Sequence, residues 1–153
     1  MGYDVHPLRE GRALIIGGVH IEHATGLDGH SDADVLTHAV IDSVLGAAGL
    51  GDIGAHFPPD DARYRGASSL LLLAEASKVV ATAGYRVVNI DSTVVAQAPR
   101  LGSHLGEMAR HIARALGLDI AAVSVKATSP EGIGALGAGE GIAAHAVALI
   151  EES

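Results

Sequence analysis

One phenylalanine and no tryptophan in 153 residues limit the ways in which this chain can build a core. Large aromatic side chains usually fill much of a protein interior, and here they are almost absent. The core must instead consist mainly of Ala, Val, Leu and Ile on helices and strands that pack closely. The length fits a single domain over 1–153, and we expect such a domain to bury further surface by forming an oligomer.

The charge and the missing residue types exclude several classes of function. The formal net charge is −8 and Lys and Arg form no cluster, which argues against a nucleic-acid partner. The chain has no cysteine, so a metal site must use His, Asp or Glu. The most apolar run, 70–74, is far shorter than the ~20 residues of a membrane span, and no secretory or transit signal is visible. We predict no membrane partner and, by default, a cytoplasmic location, with a plastid as the alternative in a plant.

Hydrophobic spacing predicts an α+β fold. Residues 13–21 are rich in Ile and Val and predict a strand with a bulge or turn at Gly17-Gly18. An apolar helical period after Ser31 predicts a first helix over 32–48 with that serine as its N-cap. The later predicted elements are a helix that is capped by Ser68 or Ser69 and runs to Ala83, a strand over 86–97, a helix that ends at Gly117, and strands over 122–127 and 141–150. Because helices and strands do not alternate strictly, we predict a mixed β-sheet with helices packed on one face, in a ferredoxin-like arrangement.

Two groups of polar residues are candidates for a metal site. Asp4 and His6 are one residue apart, so on an extended segment they point to the same side and can share a ligand. Asp34, His38 and Asp42 recur every four residues and form one stripe on the first helix. Either carboxylate of that stripe can accept the second ring N–H of a metal-bound imidazole. A solvated N-terminus explains the first pattern equally well, and a solvent-exposed helix face explains the second.

Combining the two groups gives a donor set typical of catalytic zinc. Asp4, His6 and His38 supply one carboxylate and two imidazoles, which leave the fourth tetrahedral position open. His30 and Ser31 come directly before the first helix, where a hydroxyl, an imidazole and the helix N-terminus can hold a phosphate. Ser31 as a plain N-cap is compatible with that role.

A glycine-rich loop over 128–140 is the second candidate region. Thr128, Ser129 and Glu131 place two hydroxyls and a carboxylate at the end of a predicted strand, where a hard cation such as Mg²⁺ can bridge to phosphate oxygens. Ordinary turn chemistry explains the same residues. The loop contains no Gly-Lys-Ser/Thr sequence and is not a dinucleotide fingerprint.

Eight separated motifs resemble one known family. They are Gly-Tyr-Asp-Val-His (2–6), Ile-Gly-Gly-Val (16–19), Gly-His-Ser-Asp-Ala-Asp-Val (29–35), Leu-Gly-Ala-Ala (45–48), Gly-Asp-Ile-Gly-Ala-His-Phe-Pro (51–58), Ala-Gln-Ala-Pro-Arg (96–100), Val-Lys-Ala-Thr (125–128) and Gly-Glu-Gly-Ile-Ala (139–143). In this order and spacing they resemble the 2-C-methyl-D-erythritol 2,4-cyclodiphosphate synthases over nearly the whole chain. The resemblance implies that 4-diphosphocytidyl-2-C-methyl-D-erythritol 2-phosphate cyclises with loss of CMP. It also implies a homotrimer with sheets around the threefold axis and active sites between subunits.

The resemblance also assigns roles to individual residues. It implies zinc ligands at Asp4, His6 and His38, a Mg²⁺ or Mn²⁺ ligand at Glu131, and transition-state stabilisation by His30 and Ser129. The implied contacts to the methylerythritol phosphate half are Ser31, Asp52, Ile53, Gly54 and the segment 57–61, with Phe57 and Asp61 named within it. The implied contacts to the cytidine monophosphate half are Ala96, Gln97, Ala98, Pro99, Arg100, Leu101, Gly102 and Thr128. The resemblance also implies that Ala135 and Ala138 are substrate-binding positions, where some members carry an aromatic residue and an arginine near the threefold axis. Alanine at both positions argues against regulation by isoprenoid diphosphates.

Two other functions fit the same residues. A zinc-bound water can act as the nucleophile of a phosphate-ester hydrolase, which would yield a linear product. A trimer that binds isoprenoid diphosphates without turnover is the non-catalytic alternative, and Ala138 argues against it.

Overall fold

A mixed sheet of five strands forms the centre of the computed structural model, which describes residues 1–153. The strands are β1 (Gly2–Glu10), β2 (Leu14–Ile16), β3 (Val19–Ile21), β4 (Thr25–Leu27), β5 (Tyr85–Val95), β6 (Val123–Thr128) and β7 (Gly141–Glu152). The helices are α1 (Val35–Ala47), α2 (Ile53–His56), α3 (Ser69–Thr82), α4 (Leu105–Leu116) and α5 (Gly134–Gly137). No helix combines the length and the apolar character that crossing a membrane requires.

The order of strands in the large sheet is β4-β1-β7-β5-β6, and β2 and β3 form a separate hairpin. β7 pairs antiparallel with both β1 and β5, whereas β5 and β6 are parallel neighbours with α4 between them in the chain. The predicted α+β class with a mixed sheet is confirmed. The predicted ferredoxin-like arrangement is wrong, because that arrangement separates the parallel strands of each βαβ unit by another strand.

Small aliphatic side chains fill the space between the sheet and the helices, as the composition predicts. Ile142, Ala144 and Ala146 of β7 and Ile90 of β5 are at most 1% exposed, on the face that the helices cover. Phe57, the one phenylalanine, is only partly buried at the edge of this core. Close packing of small residues therefore replaces aromatic bulk.

The predicted elements are largely confirmed, with shifts at their ends. Gly17 and Gly18 form the turn of the β2–β3 hairpin with positive φ, and Gly117 ends α4 at φ 68°. α1 begins at Val35 rather than at 32, and its N-cap is Asp34 instead of Ser31, because the Asp34 carboxylate accepts the backbone N–H of Thr37. The sequence does not predict β4, α2 or α5, which have three or four residues each and are too short to show a period.

The contact between β1 and α1 depends on a glycine. A Cβ built on Gly2 lies 1.9 Å from the carbonyl oxygen of Ala39 in α1. We expect Gly2→Ala to lower the free energy of unfolding by roughly 1–3 kcal/mol, the usual cost of overpacking. Gly46→Ala is the matched control, since a Cβ there meets nothing within 4 Å, and alanine should stabilise α1 by up to about 1 kcal/mol. Denaturant unfolding measures both, and equal midpoints for the two variants would contradict the close approach.

Candidate active site

Asp4, His6 and His38 meet where α1 packs against β1. Asp4 and His6 alternate along β1 on the side that faces the helices, and His38 lies in the first turn of α1. Asp4 Oδ2 lies 2.8 Å from His6 Nε2 and 3.0 Å from His38 Nδ1, and the two ring nitrogens are 3.2 Å apart. A tetrahedral ion with bonds of about 2.0–2.1 Å needs ligands about 3.3 Å apart. The donor set therefore fits a metal ion, and the predicted meeting of these three side chains is confirmed.

The electrostatics of the triad favour an ionised carboxylate. Burial alone would raise the pKa of Asp4, but hydrogen bonds with His38 and His6 hold that pKa far below its usual range. Burial would likewise lower the pKa of His6, yet the hydrogen bond and charge of Asp4 raise it above 6.5. No Lys or Arg side chain lines the cavity around the triad. A cation is the natural partner of the negative charge on Asp4.

A backbone carbonyl orients the imidazole of His6. Nδ1 of His6 lies 2.8 Å from the carbonyl oxygen of Asp28, so Nδ1 carries the proton and Nε2 remains free for a metal. Arg12 holds this loop in place, because Nε donates to the carbonyl of Leu27 at 3.1 Å and Nη2 to that of Gly29 at 3.1 Å. Sequence reasoning misses this support, since a backbone carbonyl leaves no mark in the side-chain pattern.

The predicted role of Asp34 and Asp42 differs from what the structure shows. Asp34 is fully buried and accepts hydrogen bonds from the N–H groups of Gly17 and Gly18 at 2.8 and 2.7 Å and from Thr37. Asp42 accepts the N–H of Ile53 at 2.8 Å. Neither carboxylate bonds to His38. Asp34 precedes the helix and points toward the β2–β3 hairpin, while Asp42 reaches the start of α2.

A cavity of about 270 Å³ opens next to the triad. Its predicted lining residues are Asp4, His6, His30, Ser31, His38, Ile53, Gly54, Phe57 and, within the segment 57–61, Pro59. Tyr64 and Leu72 also line it and are not singled out by the sequence. Asp52 and Asp61 do not line it, because Asp52 caps α2 through the N–H of Ala55 and Asp61 binds Arg63. The hydrogen bond with Arg63 also lowers the pKa of Asp61.

A second cavity of about 740 Å³ lies at the carboxyl ends of β5 and β6. Its predicted lining residues are Ala96, Gln97, Pro99, Arg100, Leu101, Gly102, Thr128, Ser129 and Glu131, and Ser103, Leu105 and Ala127 are additional. Ala98, Ala135 and Ala138 line neither of these two cavities.

Hydrogen bonds order the loop of the second cavity. Ser129 Oγ accepts the N–H of Glu131 at 3.0 Å, and Gln97 Oε1 accepts that of Gly132 at 2.9 Å. Glu131 adopts φ 55°, a backbone conformation that is uncommon for residues other than glycine. The two cavities share no lining residue, and Glu131 and Ser129 line only the second one.

Comparison with known proteins decides the family. The model of the YgbB family matches residues 1–151. The chain belongs to the YgbB family. Proteins named 2-C-methyl-D-erythritol 2,4-cyclodiphosphate synthase from Syntrophomonas wolfei and Bordetella petrii are 58% and 60% identical over 99% and 97% of this chain, and over 97% and 92% of their own lengths. The resemblance seen in the motifs is confirmed. The chain is a synthase that acts in the formation of isoprenoid precursors.

Solved structures of YgbB relatives share the fold. The IspF of Plasmodium falciparum, described as a CDP complex, has a TM-score of 0.85 at 31% identity and is covered over 94% of its chain. The bifunctional IspDF of Campylobacter jejuni has a TM-score of 0.95 at 41% identity. The match covers 99% of this chain and 41% of that longer protein. The fold found here is thus the family fold.

Proposed function

We propose that this chain cyclises 4-diphosphocytidyl-2-C-methyl-D-erythritol 2-phosphate to 2-C-methyl-D-erythritol 2,4-cyclodiphosphate and releases CMP. The 2-phosphate attacks the β-phosphate, the bond to the CMP phosphate breaks, and the electron pair leaves with CMP. The observation that carries the proposal is the Asp4, His6 and His38 triad in a cavity with His30 and Ser31. Support also comes from relatives of up to 60% identity that are named for this reaction's product.

Zinc is the metal that best suits the triad. Two imidazole nitrogens and one carboxylate oxygen form a known catalytic zinc set with one position left open. A zinc ion bound there supplies Lewis-acid polarisation of a phosphate oxygen. His30 and Ser31 lie in the same cavity, where they position the phosphate and neutralise the charge that develops on it.

Glu131 is the proposed ligand of a second, harder cation, Mg²⁺ or Mn²⁺. Its carboxylate lines the second cavity with the hydroxyls of Thr128 and Ser129, and oxygen donors are those that these ions prefer. Arg100 and the segment 96–102 line the same cavity and form the proposed CMP site. In this assignment Ser129 acts at the leaving phosphate.

A homotrimer joins the two cavities. The metal triad and the CMP cavity share no residue within one chain, so the complete site needs the second cavity of a neighbouring copy. The sheet face away from the helices exposes the apolar residues Tyr3, Val5, Val147 and Leu149, each 46–57% accessible. Apolar side chains exposed together on one face of a sheet are typical of an interface. We assign it to two further copies of this chain around a threefold axis.

Product analysis tests the proposed reaction. Incubation of the purified protein with the diphosphocytidyl substrate, Zn²⁺ and Mg²⁺ should give equal amounts of CMP and a cyclic diphosphate by phosphorus NMR. A linear diphosphate or free phosphate would instead show a hydrolase that uses zinc-bound water. Substrate binding without any product would show a non-catalytic binder and contradict both enzymatic functions.

Metal binding should depend on pH through His6. The pKa of this imidazole is raised above 6.5 by Asp4, and only the neutral form binds a metal. Affinity is therefore full above the raised pKa and should fall by about tenfold per pH unit below it, since one proton competes with each ion. Chelator competition at several pH values between 8 and 5.5 measures this. An affinity for Zn²⁺ that stays constant over that interval would contradict His6 as a ligand.

A further inference from the structure

The imidazole of His38 has a second set of partners on the side away from the triad. Its Nδ1 faces Asp4 and His6, while its Nε2 lies 2.8 Å from Ser69 Oγ and 3.0 Å from Ser31 Oγ. A histidine that binds a metal through Nδ1 carries its proton on Nε2, so Nε2 must donate. One of the two hydroxyls must therefore accept that proton.

Ser69 is held in the orientation that accepts. It is the first residue of α3 and is fully buried. Its hydroxyl donates to Asp32 Oδ1, which leaves the lone pairs of Ser69 Oγ free for the N–H of His38. Its backbone N–H donates to Asp32 Oδ2 at 3.0 Å. Two hydrogen bonds to one carboxylate fix both the backbone and the hydroxyl of Ser69.

Asp32 is itself fixed from both sides. Its Oδ1 accepts the N–H of Asp34 at 3.2 Å, and its own N–H donates to the carbonyl of Ala67 at 3.1 Å. Ser31 is less constrained, since apart from His38 its hydroxyl contacts only the N–H of Ala33, at 3.3 Å, and Ser69 Oγ, at 3.5 Å. Ser31 also lines the triad cavity, where it is available to substrate.

We propose that Asp32 and Ser69 are positioning residues that orient His38, with the Asp32 carboxylate directing the Ser69 hydroxyl to accept the Nε2–H of that imidazole. This relay replaces the one expected from Asp34 and Asp42. It connects the start of α3 to the ligands on β1 and α1, and it selects the tautomer that offers Nδ1 to the ion. The inference rests on the proposed function in taking His38 as a metal ligand.

Ser69→Ala separates this role from a purely structural one. The variant removes the hydroxyl that bonds to Asp32. It keeps the backbone N–H of residue 69, which still donates to the Asp32 carboxylate at the start of α3. When a metal-binding imidazole loses the group that accepts its other ring N–H, metal affinity falls about 10–100-fold. We expect a loss of Zn²⁺ affinity in that range. Asp32→Asn keeps the shape but weakens the charge-assisted bond, so we expect a smaller loss of about 3–10-fold. Chelator competition measures both values.

Ser68→Ala is the matched control. Ser68 precedes Ser69 and caps α3 without a side-chain hydrogen bond, so its loss should leave the affinity for Zn²⁺ unchanged. Nitrogen-15 NMR of zinc-loaded protein gives an independent readout, because the hydrogen-bonded Nε2–H of His38 should shift in Ser69→Ala but not in Ser68→Ala. Equal zinc affinities and an unshifted Nε2–H in Ser69→Ala would overturn the relay. A wild-type protein that binds no Zn²⁺ would instead overturn the proposed metal centre, and the relay with it.

Discussion

His38→Ala should lose its bound Zn²⁺ and at least about 10³-fold in kcat/KM, because the ion contributes several kcal/mol to charge stabilisation in the transition state. His38 supplies one of the three ligand atoms, and its loss leaves only Asp4 and His6. Metal content by mass spectrometry and initial rates of CMP release measure the two effects together.

His23→Ala is the control for that variant. His23 is exposed between β3 and β4 and makes no side-chain hydrogen bond or ion pair. The His23→Ala protein should retain one zinc per chain and the wild-type rate of CMP release. Full activity of metal-free His38→Ala would contradict the metal roles proposed for this site.

Leu149→Glu should convert the proposed trimer to monomers and reduce CMP release by at least about 10²-fold, because a buried, unpaired carboxylate costs several kcal/mol. Leu149 is 57% exposed in the single chain and lies on the sheet face that we assign to the threefold interface. Each monomer should still bind one zinc, since all three ligands of the triad belong to one chain. Mass photometry or light scattering and zinc content distinguish these two outcomes.

Leu71→Glu makes the same chemical change elsewhere on the surface. Leu71 is 67% exposed on α3, on the helical side of the sheet. The Leu71→Glu substitution should leave both the assembly and the rate of CMP release unchanged. A Leu149→Glu protein that remains trimeric and active would show that the open face of the sheet is not the interface.

The sequence was sufficient for features that depend on local pattern and on family motifs. The helix that carries His38 and the glycine stop at Gly117 follow from period and residue type. The strand that carries Asp4 and His6 is not predicted from its pattern, which only places the two side chains on one side if the segment is extended. Their meeting at one point was inferred by combining residues 4–6 with residue 38, and the distances confirm it. The family and the enzyme class follow from the motifs and are confirmed by the comparisons.

Features that depend on tertiary contacts were not accessible in the same way. Spacing along α1 suggested Asp34 and Asp42 as partners of His38, but Asp34 is drawn to the N–H groups of the β2–β3 hairpin. The partner that the structure provides, Ser69, lies 31 residues further along the chain and is brought there by packing of α3 on α1. The parallel pairing of β5 and β6 likewise depends on the path of α4. The cytoplasmic location and the single-domain organisation stay predictions.

The most direct test of the metal centre is an anomalous difference map at the zinc edge from crystals of the zinc-loaded protein. We expect one peak per chain, bonded to Asp4 Oδ2, His6 Nε2 and His38 Nδ1 at about 2.0–2.2 Å, with a fourth position left for substrate or water. A peak at other residues, or none in protein shown to contain zinc, would contradict the assignment.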